Sequence, residues 1–417
     1  MEPARGEERI AELDILRGWA IFGMLIVNVW VVQSFFLPVL TVQLTQVWTG
    51  TADQVALWLI DSFAAAKFWS LFCFLFGLGF AMQMKRAKAR GDSFLSFYRR
   101  RLLALFLIGT VQFMLAPYSV LPNYAIVGFL LLPLRNRSSK FLLIVAIVCV
   151  MVPHIREAGE LRDIELRRAD PQLAHELLQE EAQSEESRKV QRQHTVQVYR
   201  EGTLRDVVVH SADRYAGRFF SSDFLIGLLG GELPLFLLGL YIGRRQIFEN
   251  IPAHLPFIRR VMWWCLCLGS LNLVVNAIFL SLWTDPSFTI SYISEKATNV
   301  LWYIGAAALG FFYAAVLVLL AQREKWKQRL APLAAVGRMA LSNYLLHTLI
   351  LLILFHNFKL YGKIGPAVGL AVAALVYAFL VALSVWWMRR FRFGPAEWLW
   401  RTITYGKLQP MYRTDVS

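Results

Sequence analysis

The feature that most limits this chain is a series of apolar stretches close to the length of a bilayer-spanning helix, separated by charged breaks. A backbone crossing lipid must satisfy its own hydrogen bonds, so each stretch reads as a helix. Ten occur, at 13–37, 67–84, 102–116, 121–134, 141–153, 224–243, 261–283, 301–321, 336–355 and 364–388. The third to fifth are short, which implies that they continue past these limits or pair as a hairpin around Pro117 and Pro122. Of the 417 residues, 57% are hydrophobic and 17% charged, more apolar surface than one water-soluble core absorbs. The expected fold class is an all-α polytopic membrane protein.

The basic residues test this reading independently, because short cytoplasmic loops collect lysine and arginine. With the N-terminus inside, successive inside segments hold Arg5 and Arg9, then Lys85 to Arg101, Arg135 to Lys140, Arg244 to Arg260, Arg323 to Arg329, and Arg389 to Arg413. The short outside loops hold only Lys296, Lys359 and Lys363. Both termini are thus expected in the cytoplasm. The net charge of +14 is this belt facing anionic lipid, so membrane lipids are the expected partners and nucleic acid is not. The first apolar run follows a charged stretch and has no small-residue cleavage pattern, so it is expected to remain as an anchor. Cys73, Cys149, Cys265 and Cys267 all fall inside spans, and neither a disulfide nor a metal site is expected.

The long hydrophilic stretch at 154–222 divides the chain into a membrane half (1–153), an extracytoplasmic insertion (154–222), a second membrane half (223–392) and a cytoplasmic tail (393–417). Charged residues and leucines at helical spacing predict amphipathic helices in the insertion, broken at Asp170-Pro171. Its more aromatic second half is expected to fold back on the membrane surface. A helix running from Val55 to Met84 would be about 45 Å long, too long for one span. Asp61 and Lys67 mark the expected break, with 52–66 interfacial or re-entrant.

Ionisable and amide groups at membrane depth are costly and are the first functional candidates. On the first helix Asp14, Arg17, Met24 and Asn28 fall within about 80° of one another and form one stripe. That stripe suits a cytosolic anion, and equally a membrane-edge salt bridge with a helix–helix hydrogen bond at Asn28. In Gly230-Gly231-Glu232-Leu233-Pro234 a regular helix is expected to break, either lining a cavity around Glu232 or simply kinking at the proline. In the ninth span Asn343, His347 and Asn357 share a face beside Tyr344; His347 can act as a base or as a packed hydrogen-bonder. Gly227/Gly231 and Gly239/Gly243 have the spacing of close helix packing. Walker, dinucleotide, zinc and nucleophile-elbow patterns are absent from the sequence.

Four motifs together carry a resemblance: Leu13-Asp14-Ile15-Leu16-Arg17-Gly18-Trp19-Ala20 with Val27-Asn28, Leu75-Phe76-Gly77-Leu78-Gly79-Phe80, Gly337-Arg338-Met339-Ala340-Leu341-Ser342-Asn343-Tyr344, and Gly394-Pro395-Ala396-Glu397-Trp398-Leu399-Trp400-Arg401. The chain resembles the YeiB family of bacterial inner-membrane proteins (domain of unknown function 418), which is grouped with transmembrane acyltransferases. The resemblance implies acyl-CoA as cytosolic donor, without a metal, and a small-molecule or glycan acceptor outside. It implies donor and substrate contacts from Asp14, Arg17, Asn28, Arg338, Asn343 and Tyr344, and a base among His347, Glu232 and Asp61. The chain departs from the family pattern in two places. Ser119-Val120-Leu121-Pro122-Asn123-Tyr124 stands where an aspartate usually precedes the tyrosine, and His347 stands where glutamine is usual. No histidine precedes His154, so the catalytic histidine of better understood relatives has no counterpart. Export of a small amphiphile by two inverted halves, and a noncatalytic assembly or sensor role for the insertion, are the alternative expectations. A homo-oligomer is compatible with all three.

Overall fold

The computed structural model describes residues 10–34, 48–91, 93–116, 118–219, 221–283 and 292–413. Arg5, Arg9, Pro117, the end of the first apolar run and the side chain of Lys296 lie outside the described residues. The chain is all-α: α1 (Ala11–Ser34), α2 (Thr51–Phe63), α3 (Lys67–Ala89), α4 (Phe94–Leu115), α5 (Leu121–Leu134), α6 (Ser139–Ala169), α7 (Pro171–Glu201), α8 (Leu204–Phe219), α9 (Ser222–Arg244), α10 (Ile251–Trp283), α11 (Tyr292–Ala321), α12 (Glu324–Arg338), α13 (Ala340–Asn357), α14 (Pro366–Arg390) and α15 (Pro395–Tyr405). Leu375 and Ile147 are 72% and 65% exposed, an outward apolar surface that only lipid covers without penalty. This is a polytopic membrane fold.

Among the described residues eight helical stretches are long and apolar enough to cross a bilayer, counting 51–89 as one. Two of the ten expected spans fall short of that standard, because α4 carries three consecutive arginines and α5 has 14 residues. They form the expected hairpin. A Cβ on Gly109 would stand 2.8 Å from Leu121 and Pro122, so only glycine lets the two helices approach this closely.

The break between α2 and α3 falls where helix length requires it, at 64–66, with Ala66 left-handed at φ 62°. The Lys67 ammonium donates to the Asp61 carbonyl at 2.6 Å, which locks the turn. Asp53 of α2 accepts from the Ala367 N–H at 2.9 Å and so caps the start of α14. The expected break at Asp170 is also present: its carboxylate accepts from the Gln172 N–H at 2.9 Å and Pro171 begins α7. The fifth span, however, does not end at Pro153, and α6 runs through it to Ala169.

Two other expectations need correction. The segment 230–234 does not break; it widens into a π turn at Leu228–Glu232, where the Leu233 N–H reaches the Leu228 carbonyl. Pro234 has no N–H to give the Gly230 carbonyl, and one extra residue per turn absorbs that loss without ending the helix. The ninth span is not continuous from 336. Met339, at φ −111° and ψ 31°, separates α12 from α13. A second π turn at Ile353–Asn357 then rotates Asn357 off the face of Asn343 and His347, leaving it exposed.

Backbone contact organises the bundle. A Cβ on Gly18 would lie 2.0 Å from the Leu333 carbonyl oxygen, and one on Gly337 would lie 1.8 Å from that of Asp14, so α1 and α12 cross at van der Waals distance. Gly77 against Phe236, and Gly239 against Phe74, join α3 and α9 in the same way. The Gly239/Gly243 pair therefore packs as expected, whereas Gly227 faces open space.

The Met339 break is held from the C-terminal tail. Glu397 accepts from the Leu341 N–H at 2.6 Å, the Ser342 N–H at 3.1 Å and the Ser342 hydroxyl, capping α13 with a carboxylate from α15. The Gly337 and Gly394 motifs, far apart in sequence, therefore meet in space. Glu397→Ala is expected to cost about 1–2 kcal/mol, the upper range for a lost cap, read as a lower melting temperature in detergent.

Candidate functional site

His347 is fully buried on α13. Its Nδ1 lies 3.2 Å from the Asn343 carbonyl, and a carbonyl can only accept, so Nδ1 carries the hydrogen. Nε2 is then the accepting nitrogen, and it meets the Asn28 amide of α1 at 2.9 Å. Tyr344 packs edge-on to the imidazole at 5.0 Å, its hydroxyl accepts from the Val120 N–H at 3.3 Å, and its carbonyl accepts from the Thr348 hydroxyl at 2.9 Å. Ser119 donates to Gln112 at 2.9 Å, and Gln112 donates to Thr348 at 2.7 Å. Six side chains from α1, α4, the α4–α5 turn and α13 thus form one buried network. Ser119 and His347 are both members.

The outer edge of this network opens on a groove of about 430 Å³ between α4 and α13. Its walls are apolar, with Leu107, Val111, Leu345 and Leu349 among them, and its polar lining side chains are Gln112 and Thr348. Leu107 and Val111 are 64% and 62% exposed, so the groove faces lipid.

Glu232 belongs to a second, adjoining group. It is buried at the π turn and accepts from Asn123 at 3.0 Å. The Tyr124 hydroxyl lies 3.4 Å from the Trp69 carbonyl and 3.5 Å from Cys73 Sγ. The segment 119–124 bridges the two groups, with Ser119 on Gln112, Val120 on Tyr344, and Asn123 on Glu232. Asp14 and Arg17 lie farther along α1, paired with each other at 2.9 Å. Asp61 has an exposed side chain and engages Lys67 through its backbone. Asn343 donates to the Val336 carbonyl and to Ser384 at 3.1 and 2.9 Å, tying α12, α13 and α14 together; Arg338 closes α12. The anticipated single stripe on α1 therefore serves two places, a salt bridge at one end and the histidine network at Asn28. Gln112, Ser119, Asn123 and Thr348 were not anticipated as members. The amide of Gln112 within an apolar run was the available signal. Among the described residues no His, Cys, Asp or Glu cluster suits a metal ion.

The insertion closes the end of the bundle beyond His347. Tyr215 of α8 bonds Thr110 of α4 at 3.2 Å, and the Arg200 guanidinium donates to the Tyr361 carbonyl at 3.1 Å, so the aromatic half packs against the bundle. Tyr199 and Val207 are buried in the same apolar cluster as Val29 and Leu351. His210 joins α8 to α7 through Thr195 at 3.0 Å, beside His194, Tyr199, Arg214 and Asp213. Burial, then the charges of Arg214 and His194, hold its imidazole below the usual range, while Asp213 opposes them. A histidine with a lowered folded value contributes stability that is complete above the unfolded value of 6.5 and is lost as pH falls below it. Protection factors for amide exchange across 195–211, corrected for the intrinsic pH dependence, should fall below that pH, and His210→Gln should remove the fall.

A family profile described as "Protein of unknown function (DUF418)" matches residues 242–407. The uncharacterized protein YxaH of Bacillus subtilis is 31% identical over 99% of this chain and 98% of its own length. The uncharacterized protein YeiB of Escherichia coli is 28% identical over 95% and 96%. Similarity of that extent, end to end through all four motifs, makes the chain a member of the YeiB (DUF418) family of membrane proteins.

Proposed function

We propose that this protein is an integral-membrane acyltransferase of a bacterial inner membrane, with ten spans and both termini cytoplasmic. It takes an acyl group from cytosolic acyl-CoA and places it on a hydroxyl or amine acceptor from the other side. One observation carries this reading: a lipid-facing apolar groove whose polar lining side chains, Gln112 and Thr348, are one residue removed from the imidazole, since Thr348 donates to the Tyr344 carbonyl and the Tyr344 ring packs on His347, whose accepting nitrogen is fixed by the Asn343 carbonyl. An acyl chain suits the groove, and an acceptor proton suits His347.

In the proposed step the acceptor hydroxyl displaces the Asn28 amide and gives its proton to Nε2 as its oxygen attacks the thioester carbonyl. The carbon–sulfur bond breaks, and the departing thiolate takes the proton back from the imidazolium. Tyr344 and Asn28 supply donors for the oxyanion formed in between. In keeping with this assignment, the resemblance implies an aspartate near 119 and a glutamine at 347, whereas this chain has Ser119 and His347. Both positions border Tyr344, so the network keeps one ionisable group and changes the side it comes from.

The test is incubation of purified full-length protein with radiolabelled acetyl-CoA and with longer acyl-CoAs, measuring binding and release of free coenzyme A. Saturable binding with thioester cleavage is expected. Absence of binding to every thioester overturns the proposal.

A further inference from the structure

Glu232, buried halfway along α9, takes no part in the proposed transfer. Its carboxylate accepts from the Asn123 amide at 3.0 Å, and among the described residues no Lys, Arg or His stands within ion-pairing distance of it. Charged groups on the outer segments packed around α9 are engaged elsewhere: His154 with Glu157 at 3.7 Å, Arg156 with Asp223 at 2.6 Å, and Arg218 over the Phe224 ring at 5.2 Å. The other titratable neighbours are the Cys73 thiol of α3 and the hydroxyls of Tyr124 on α5 and Tyr303 on α11, none of them a cation. Phe236, one helical turn beyond Glu232, closes a triangle with Phe76 and Tyr124 at 5.0 to 5.9 Å between ring centres, an apolar wall on the side of Arg244. The carboxylate also sits in a π turn, a geometry frequent at functional sites.

A carboxylate at membrane depth without a cation is costly, and binding a metal ion or a proton removes the cost. A hard metal cation asks for several oxygen ligands, whereas the side chains here offer an amide N–H, a thiol and one hydroxyl. A proton asks only for the carboxylate. We propose that Glu232 is a proton-binding site whose charge state is passed to the histidine network through Asn123 and the segment 119–124. The ionised carboxylate holds Asn123 by a charge-assisted bond, roughly twice as strong as a neutral one. Taking up one proton from water forms the carboxyl O–H and weakens that hold. Close by in the chain, the Val120 N–H meets the Tyr344 hydroxyl at 3.3 Å and Ser119 bonds Gln112 at 2.9 Å. Leu121 and Pro122 between them pack against Gly109 of α4, so a shift at Asn123 is carried along a short, confined stretch. The site does not depend on acyl transfer.

Infrared difference spectra of the full-length protein in phosphatidylcholine nanodiscs report protonated carboxyls by their C=O stretch, and are recorded across the range that glutamates in proteins cover, about pH 4 to 9. One such band should be lost in Glu232→Gln, and in the parent it should titrate identically in sodium and in choline buffers. The imidazole resonance of His347 in histidine-labelled protein, assigned by its loss in His347→Gln, should move with the same midpoint. In Asn123→Leu the band should remain and the movement should vanish. If Glu232→Gln does not fold, Glu232→Asp, which keeps the carboxyl, decides the matter by shifting the frequency of the band. No band sensitive to a change at Glu232, or a midpoint that follows sodium, overturns the proton site. A His347 resonance that ignores the titration, or follows it equally in Asn123→Leu, overturns the coupling. Absence of thioester cleavage with both titrations intact would instead overturn the transfer reading alone.

Discussion

His347→Gln is expected to lower thioester cleavage by about 10²–10⁴-fold, the usual contribution of a positioned general base, while melting and elution behaviour stay near those of the parent. Glutamine can still meet both the Asn28 amide and the Asn343 carbonyl, so the fold tolerates it, but it cannot take a proton at neutral pH. A sharper result comes from the double variant. Because Ser119 and His347 both border Tyr344, Ser119→Asp added to His347→Gln should return a measurable part of the lost rate. Ser119→Asp alone should not raise the rate above that of the parent. Rates measured for the two single variants and the pair form a thermodynamic cycle, and strict additivity would show that the two positions do not share a proton-accepting task.

The largest effect on folding is expected at the crossing of α1 and α12. Gly337→Val would place a Cβ 1.8 Å from the Asp14 carbonyl oxygen, a backbone atom that cannot rotate away. Overpacking of a tight core costs roughly 1–3 kcal/mol where side chains can adjust, and here the helices themselves would have to separate. The expected outcome is loss of monodisperse protein on detergent extraction. Gly79→Val is the control, since its nearest neighbour is the end of the Gln83 side chain at 3.9 Å, and it should extract normally. If Gly337→Val is as stable as the parent, the close crossing does not exist.

How far the sequence reveals this protein differs from feature to feature. The break at 64–66 was legible because a helix from Val55 to Met84 exceeds a bilayer, and Lys67 cannot sit in lipid without a partner such as the Asp61 carbonyl. The Asp170-Pro171 break was legible because the cap and the helix-starting proline are adjacent in sequence. Asn28 and His347 could each be named as polar groups at depth, but neither sequence segment indicates that the other is 2.9 Å away. The face shared by Asn343 and Asn357 was misread because a π turn intervened, and no local signal in Ile353–Asn357 announces it.

What the sequence determined alone was that the chain crosses a membrane, roughly where it does so, and which few polar residues lie in the apolar runs. These depend on transferring one segment at a time from water to lipid, a property of that segment's own composition. The tertiary structure decided everything that joins segments: Glu397 capping α13, Asn28 meeting His347, Gln112 meeting Thr348, and Arg101 seated over Trp400. Inside lipid there is little hydrophobic drive to choose helix partners, so pairing is set by glycine-sized gaps and interhelical hydrogen bonds. Those depend on two distant stretches of chain at once, and only the assembled bundle shows which stretches they are.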